Sequence, residues 1–174
     1  MKKALSLCII LVLVLATISG CRKSGPSPSS QIDLNDTPSA TVINEKGSIT
    51  ISNTDWGFSF AMPPQWAPTY KAEPLEAADL PENALYAISV FDTLNAEKGG
   101  LLFTIACVKD DSESPYSDFT KLGHRNNYNI IIAYPTEIQY DEADAAKTEN
   151  YNTMKAGITK VLSSFRISDA TSNN

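Results

Sequence analysis

Polar and apolar positions fall into three regimes along the chain. An apolar run over 4–16 follows Lys2 and Lys3 and fades into Thr17-Ile18-Ser19-Gly20 before Cys21. A positive start followed by a short apolar core predicts an export signal. A spanning helix would need about 20 apolar residues. Residues 22–47 are dominated by Ser, Pro, Thr, Asn and Asp and show no apolar period, which predicts a flexible stalk. From residue 48 onward the pattern alternates.

Ser48-Ile49-Thr50-Ile51-Ser52 predicts a strand, and Asp55-Trp56-Gly57 a turn with Gly57 suited to positive φ. Phe58-Ser59-Phe60-Ala61-Met62 alternates again, with Phe58, Phe60 and Met62 on one face. Pro63-Pro64 stops it, so the two strands form a hairpin. Pro68, Pro74 and Pro81 prohibit a long helix over 65–83 and leave a short strand at Tyr70-Lys71-Ala72. Further strands are predicted over 85–91, 101–108, 119–123 and 128–134. The second of these has few polar breaks and is expected at the sheet centre. One helical turn over 92–98 ends at Gly99-Gly100, an acidic loop spans 109–115, and Arg125-Asn126-Asn127 makes a turn. Tyr151, Met154, Ile158, Val161, Leu162 and Phe165 keep helical spacing. Asp141 or a neighbour caps this helix, with Glu142 and Asp144 near its positive end. The apolar stripe must bury against the sheet, and Gly157 permits close approach to a strand. The prediction is an α+β domain: a central antiparallel β-sheet with a long C-terminal helix packed on one face. Its boundaries are 1–20 for the signal, 21–47 for the stalk beginning at Cys21, 48–168 for the domain and 169–174 for a frayed tail.

Composition narrows the function classes. With 174 residues, 43% hydrophobic and 20% charged, the chain suits one globular domain. Its net charge of −6 argues against a nucleic-acid partner, because phosphate binding needs clustered cations. Three cysteines and one histidine argue against a zinc site, and no metal or other cofactor is expected. Losing residues 1–20 takes Lys2 and Lys3 but no acid, so 14 cations become 12 against 20 acids, a net charge of −8. Cys8 is lost with the signal. Cys107 lies in an apolar run and reads as a buried core residue, and no intramolecular disulfide is expected in the mature chain.

Ile18-Ser19-Gly20-Cys21 resembles the lipobox of bacterial lipoproteins. The resemblance implies cleavage before Cys21, a diacylglyceryl group on its thiol, and an extracytoplasmic location on the cell membrane. Gly57-Phe58-Ser59-Phe60-Ala61-Met62-Pro63-Pro64-Gln65-Trp66 resembles the opening of PsbP-like domains. The run from Leu122-Gly123 through Tyr128-Asn129-Ile130-Ile131-Ile132-Ala133-Tyr134-Pro135-Thr136, and the close Val161-Leu162-Ser163-Ser164-Phe165, are similar to secreted bacterial domains of that fold. This second resemblance covers residues 48–167. It implies a central antiparallel sheet flanked by helices. Roles in that family, such as an extrinsic photosystem II subunit and a Ran-GTPase-binding factor, are in binding and assembly. No functional residue is carried over from it.

Candidate chemistry is sparse. His124 reads first as a polar turn residue; as a general base it would need a nucleophile and an orienting group within reach. Asp110, Asp111 and Glu113, with Ser112, form an acidic loop that lacks the register of a calcium loop, which leaves weak cation binding as the lesser reading. Glu137, Asp141, Glu142 and Asp144 are explained by helix capping. Trp56, Trp66, Tyr70 and Tyr86 either pack the sheet or line a sugar or peptide pocket. Gly99-Gly100 is too short for a phosphate loop.

The expected function is a non-enzymatic accessory module for a protein or envelope partner, held to the membrane through Cys21. The alternatives are a hydrolase or other enzyme using His124 with nearby carboxylates, and an envelope ligand-sensor subunit. Replacing Cys21→Ala is expected to move the chain from the membrane to the soluble fraction, or to stall it as an uncleaved precursor. Membrane fractionation and immunoblotting of the two forms check this.

Overall fold

Alternating β-branched and aromatic residues build two antiparallel sheets in the computed structural model, which describes residues 40–45 and 48–168. The first sheet contains β1 (Ala40–Glu45), β2 (Ser48–Asn53), β3 (Phe58–Met62) and β9 (Arg166–Ile167), in the order β1-β2-β3-β9. The second contains β4 (Tyr70–Pro74), β5 (Ala84–Asp92), β6 (Leu101–Lys109), β7 (Phe119–Arg125) and β8 (Tyr128–Ala133), in the order β4-β5-β6-β8-β7. A single long helix, α1 (Ala145–Ser164), precedes β9. The α+β class expected from the pattern is therefore the observed one. No helix among the described residues is long and apolar enough to cross a membrane.

The core lies where the two sheets and the helix meet. Phe58, Phe60 and Met62 alternate inward as their spacing requires, each 1% exposed. They pack with Ile88 and Val90 of β5, Phe103 and Ile105 of β6, and Ile130 and Ile132 of β8. α1 adds Tyr151, Met154, Ile158 and Val161 at the spacing of one helical face. β6 is the middle strand of the five and is buried on both faces, which explains its unbroken apolar run. Its other face joins Ala87, Ala106, Val108 and Ile131 in a smaller cluster covered by Leu75, Leu80 and Tyr116 from flanking loops.

Several expectations need correction. The pattern predicts one sheet; two exist, because Pro63 and Pro64 end β3 and the 3₁₀ turn Pro64–Trp66 redirects the chain. Residues 40–45, assigned to the stalk, form β1 and pair with all of β2 from Ala40↔Asn53 to Glu45↔Ser48. The β-branched run Thr41-Val42-Ile43 favours a strand despite its polar neighbours. The signal, Cys21 and the tail over 169–174 lie outside the described residues. The helix cap is Asp144, whose carboxylate accepts from the backbone N–H of Ala146 at 3.0 Å and of Lys147 at 3.1 Å. Asp141 instead sets up the preceding loop, its carbonyl accepting from Thr148 Oγ1. The close approach allowed by Gly157 is to Trp66 and not to a strand: a Cβ there would lie 3.1 Å from the indole. After the helix, β9 returns to pair with β3, and Ser164 Oγ accepts the Ala61 N–H at 2.8 Å.

A buried polar hub positions the helix. Asn95, in the 3₁₀ turn Thr93–Lys98, is 1% exposed, and its side-chain amide donates to Asp92 Oδ2 at 2.7 Å and to the Lys147 carbonyl at 3.0 Å. Its Oδ1 accepts the Asp141 N–H at 3.0 Å. One side chain thus joins the end of β5, the loop before α1 and the first turn of α1. Asn95→Ala removes the donor to Asp92 Oδ2 and to the Lys147 carbonyl and the acceptor of the Asp141 N–H, while Asp92 Oδ1 keeps the Leu94 N–H, so a loss of about 2–3 kcal/mol is expected. Urea unfolding followed by far-UV circular dichroism measures it.

Candidate functional site

His124 and Asp110 meet because backbone contacts bring their elements together. The β7–β8 hairpin turns at Asn126 and Asn127, with Asn126 at φ 53°. The Lys109 N–H donates to the Asn83 carbonyl at 3.1 Å and the Asp110 N–H to the Asn127 carbonyl at 3.2 Å, which places the start of the acidic loop beside that turn. His124 Nε2 then lies 2.5 Å from Asp110 Oδ2 on a half-exposed surface. Asp110, but not His124, lines an open depression of about 330 Å³ together with Leu85, Lys109, Asp111, Ser112 and Asn127. Asp110 is the hydrogen-bond partner of His124; no hydroxyl or thiol joins them among the described residues. The pair can hold and orient a proton, but general-base attack also requires a nucleophile in reach. No group of three or more His, Cys, Asp or Glu is arranged to hold a metal ion among the described residues.

The four aromatic candidates do not form one pocket. Trp66 is 1% exposed beneath α1 at Gly157. Tyr70 and Tyr86 are buried in the core from β4 and β5. Trp56 packs against that core from the β2–β3 turn, stacked on Tyr86 at 5.7 Å and edge-on to Tyr128 at 5.2 Å. The pocket reading is thereby corrected. Large apolar rings next to prolines are needed to close the gap between two sheets, and they are consumed there.

Arg125 reads as a turn residue in the sequence and does more in the fold. Its Nη1 donates to the Asp55 carbonyl at 3.0 Å and to Tyr128 Oη at 3.2 Å, and Tyr128 Oη donates to the Trp56 carbonyl at 3.0 Å. This chain of bonds ties the β7–β8 hairpin to the turn of the other sheet. The guanidinium occupies the space a Cβ on Gly57 would need, and Gly57 sits at φ 61°. The one readable signal is a glycine in that turn.

β7 is the remaining exposed feature. It pairs with β8 alone, and Phe119, Thr120, Lys121 and His124 are exposed along it. Beside it a small pocket of about 110 Å³ has Val108 and Ile131 as its floor and Phe119, Lys121, Ser112 and Ser114 among its walls. The acidic residue just before the strand, Asp118, lies by Tyr134, whose hydroxyl is pushed up by burial and then by that charge.

Comparison with family models, curated proteins and solved structures finds no match. Burial pushes the hydroxyls of Tyr70 and Tyr151 up to about 12, and the Cys107 thiol up to about 12. The folded chain keeps these protons where the unfolded chain releases them, so stability is full below about pH 9 and falls as pH rises towards about 12. Thermal unfolding over an alkaline pH series is expected to give falling midpoints. Cys107, fully buried, is expected to react with a thiol reagent only as fast as the protein opens.

Proposed function

We propose that the chain is an extracytoplasmic lipoprotein whose folded domain is a non-enzymatic binding module for a protein or envelope partner. The observation that carries this reading is the order Lys2-Lys3, apolar run, Ile18-Ser19-Gly20-Cys21. A diacylglyceryl Cys21 carries two acyl chains. Each buried methylene contributes about 0.8 kcal/mol, and two chains turn marginal, reversible binding into slow release. A mature net charge of −8 is repelled by anionic headgroups, so the covalent anchor holds the protein where adsorption would not.

Two features support binding over catalysis. The aromatic side chains that would have lined a substrate pocket fill the core. The His124–Asp110 pair has an orienting carboxylate but no partnered nucleophile among the described residues. The PsbP-like assignment belongs to this proposal as well; it is supported by the five-stranded antiparallel sheet and C-terminal helix, whereas a second sheet and a single α-helix among the described residues depart from a central sheet flanked by helices. The competing reading, an enzyme built on His124, rests on the 330 Å³ depression beside that pair. A hydrolytic activity that disappears in His124→Ala would establish it.

Intact mass spectrometry of the membrane-extracted chain tests the anchor. The expected mass begins at Cys21 and carries diacylglycerol. A bare Cys21, or a chain retaining residues 1–20, would overturn the proposal.

A further inference from the structure

We propose that the open edge of β7 accepts an extended acidic segment of a protein partner as an added strand. The inference rests on the binding-module reading above and names the class of partner. The Tyr134 N–H donates to the Asp118 carbonyl at 2.9 Å, and β7 pairs as Phe119↔Ala133, Thr120↔Ile132 and Lys121↔Ile131. Bonded and non-bonded pairs alternate in an antiparallel ladder. Thr120 is therefore bonded to β8, while the N–H and C=O groups of Phe119 and Lys121 point away from it. Among the described residues no strand lies on that side.

The opposite edge of the same sheet differs. On β4, Tyr70 is 9% and Ala72 is 1% exposed, and Pro74 has no N–H to offer. β7 is open where β4 is closed. A register shift between Lys121 and Gly123, with Ile167 packed where a Gly123 Cβ would lie, limits regular pairing to the opening residues of β7. The added strand is therefore short and is held by the outward groups of Phe119 and Lys121.

Side chains supply the selectivity. β7 holds Lys121 and Arg125 and no acid, within a chain whose net charge is −6. Arg125 is turned towards Asp55 and Tyr128, which leaves Lys121 as the cation facing solvent with no ion pair among the described residues. Opposite charges on neighbouring strands attract, so a Glu or Asp beside Lys121 is favoured. Phe119, 45% exposed, offers an apolar contact to a side chain of the same segment. A second copy of β7 would bring a second cationic strand against the first and is disfavoured.

The test uses the full chain in detergent and a synthetic peptide of alternating Val and Glu, read by residue-resolved amide hydrogen exchange. Protection is expected at Phe119 and Lys121 on adding peptide. Thr120, already bonded, is expected to change little. Lys121→Glu is expected to weaken binding about tenfold, more at low salt than at high. Lys121→Pro removes one outward donor and leaves the bonds to β8, so it is expected to abolish peptide protection while the amide of Ile132 stays protected. Protection confined to another element, equal binding by the Lys121→Glu chain, or concentration-dependent protection of β7 without peptide would each overturn the proposal. The mass of the same sample reports the state of Cys21. Protection of β7 in an unlipidated chain would sink the anchor alone, and a lipidated chain without protection would sink the edge alone.

Discussion

The fold depends on Asn95 being satisfied at every polar atom of its side-chain amide. A helix can bury its apolar stripe between two sheets only if its first turn is held at the right height and rotation. The amide fixes both by binding Asp92, the carbonyl of Lys147 and the N–H of Asp141 at once. In a dry interior such bonds strengthen, and any orphaned partner is costly. From that anchor α1 runs over Trp66, where Gly157 removes the one Cβ that would lift the helix away. The hydroxyl of Tyr151 then caps the Leu101 carbonyl at 2.7 Å, tying the helix to the start of the central strand.

Local pattern is a good guide where it arises from burial on one or two faces. The alternation Phe58, Phe60, Met62, the dense run that forms β6, and the stripe Tyr151 to Val161 all follow from it. What escapes is decided at long range. Whether β3 joins β4 or pairs with a two-residue strand after the helix depends on where the helix delivers the chain, which no window of neighbouring residues records. Thr41-Val42-Ile43 is hidden by a polar setting. Asp141 and Asp144 carry the same side chain three residues apart, and only the hub at Asn95 decides which one caps.

The candidate site is legible to a lesser degree. His124 stands out as the single histidine, and its carboxylate partner lies among the acids of the expected loop. That Asp110 is the one depends on the backbone bond to Asn127, which sequence does not display. The aromatic residues are ambiguous because burial and recognition draw on the same side chains. The openness of β7 is a property of the whole sheet: it exists only because β8 is inserted between β6 and β7 in the strand order.

If the proposed anchor at Cys21 holds the chain, the position of β1 has a mechanical consequence. β1 is an edge strand and touches the rest of its sheet through β2 alone. A pull applied at Ala40 loads the pair Ala40↔Asn53 before any other. Bonds loaded in sequence break singly, at far lower force than bonds sheared together. At about 3.3 Å per residue, peeling the 6 residues of this strand frees roughly 20 Å of chain. β1 is thus the first strand of its sheet to yield to tension at the N-terminal side of the domain.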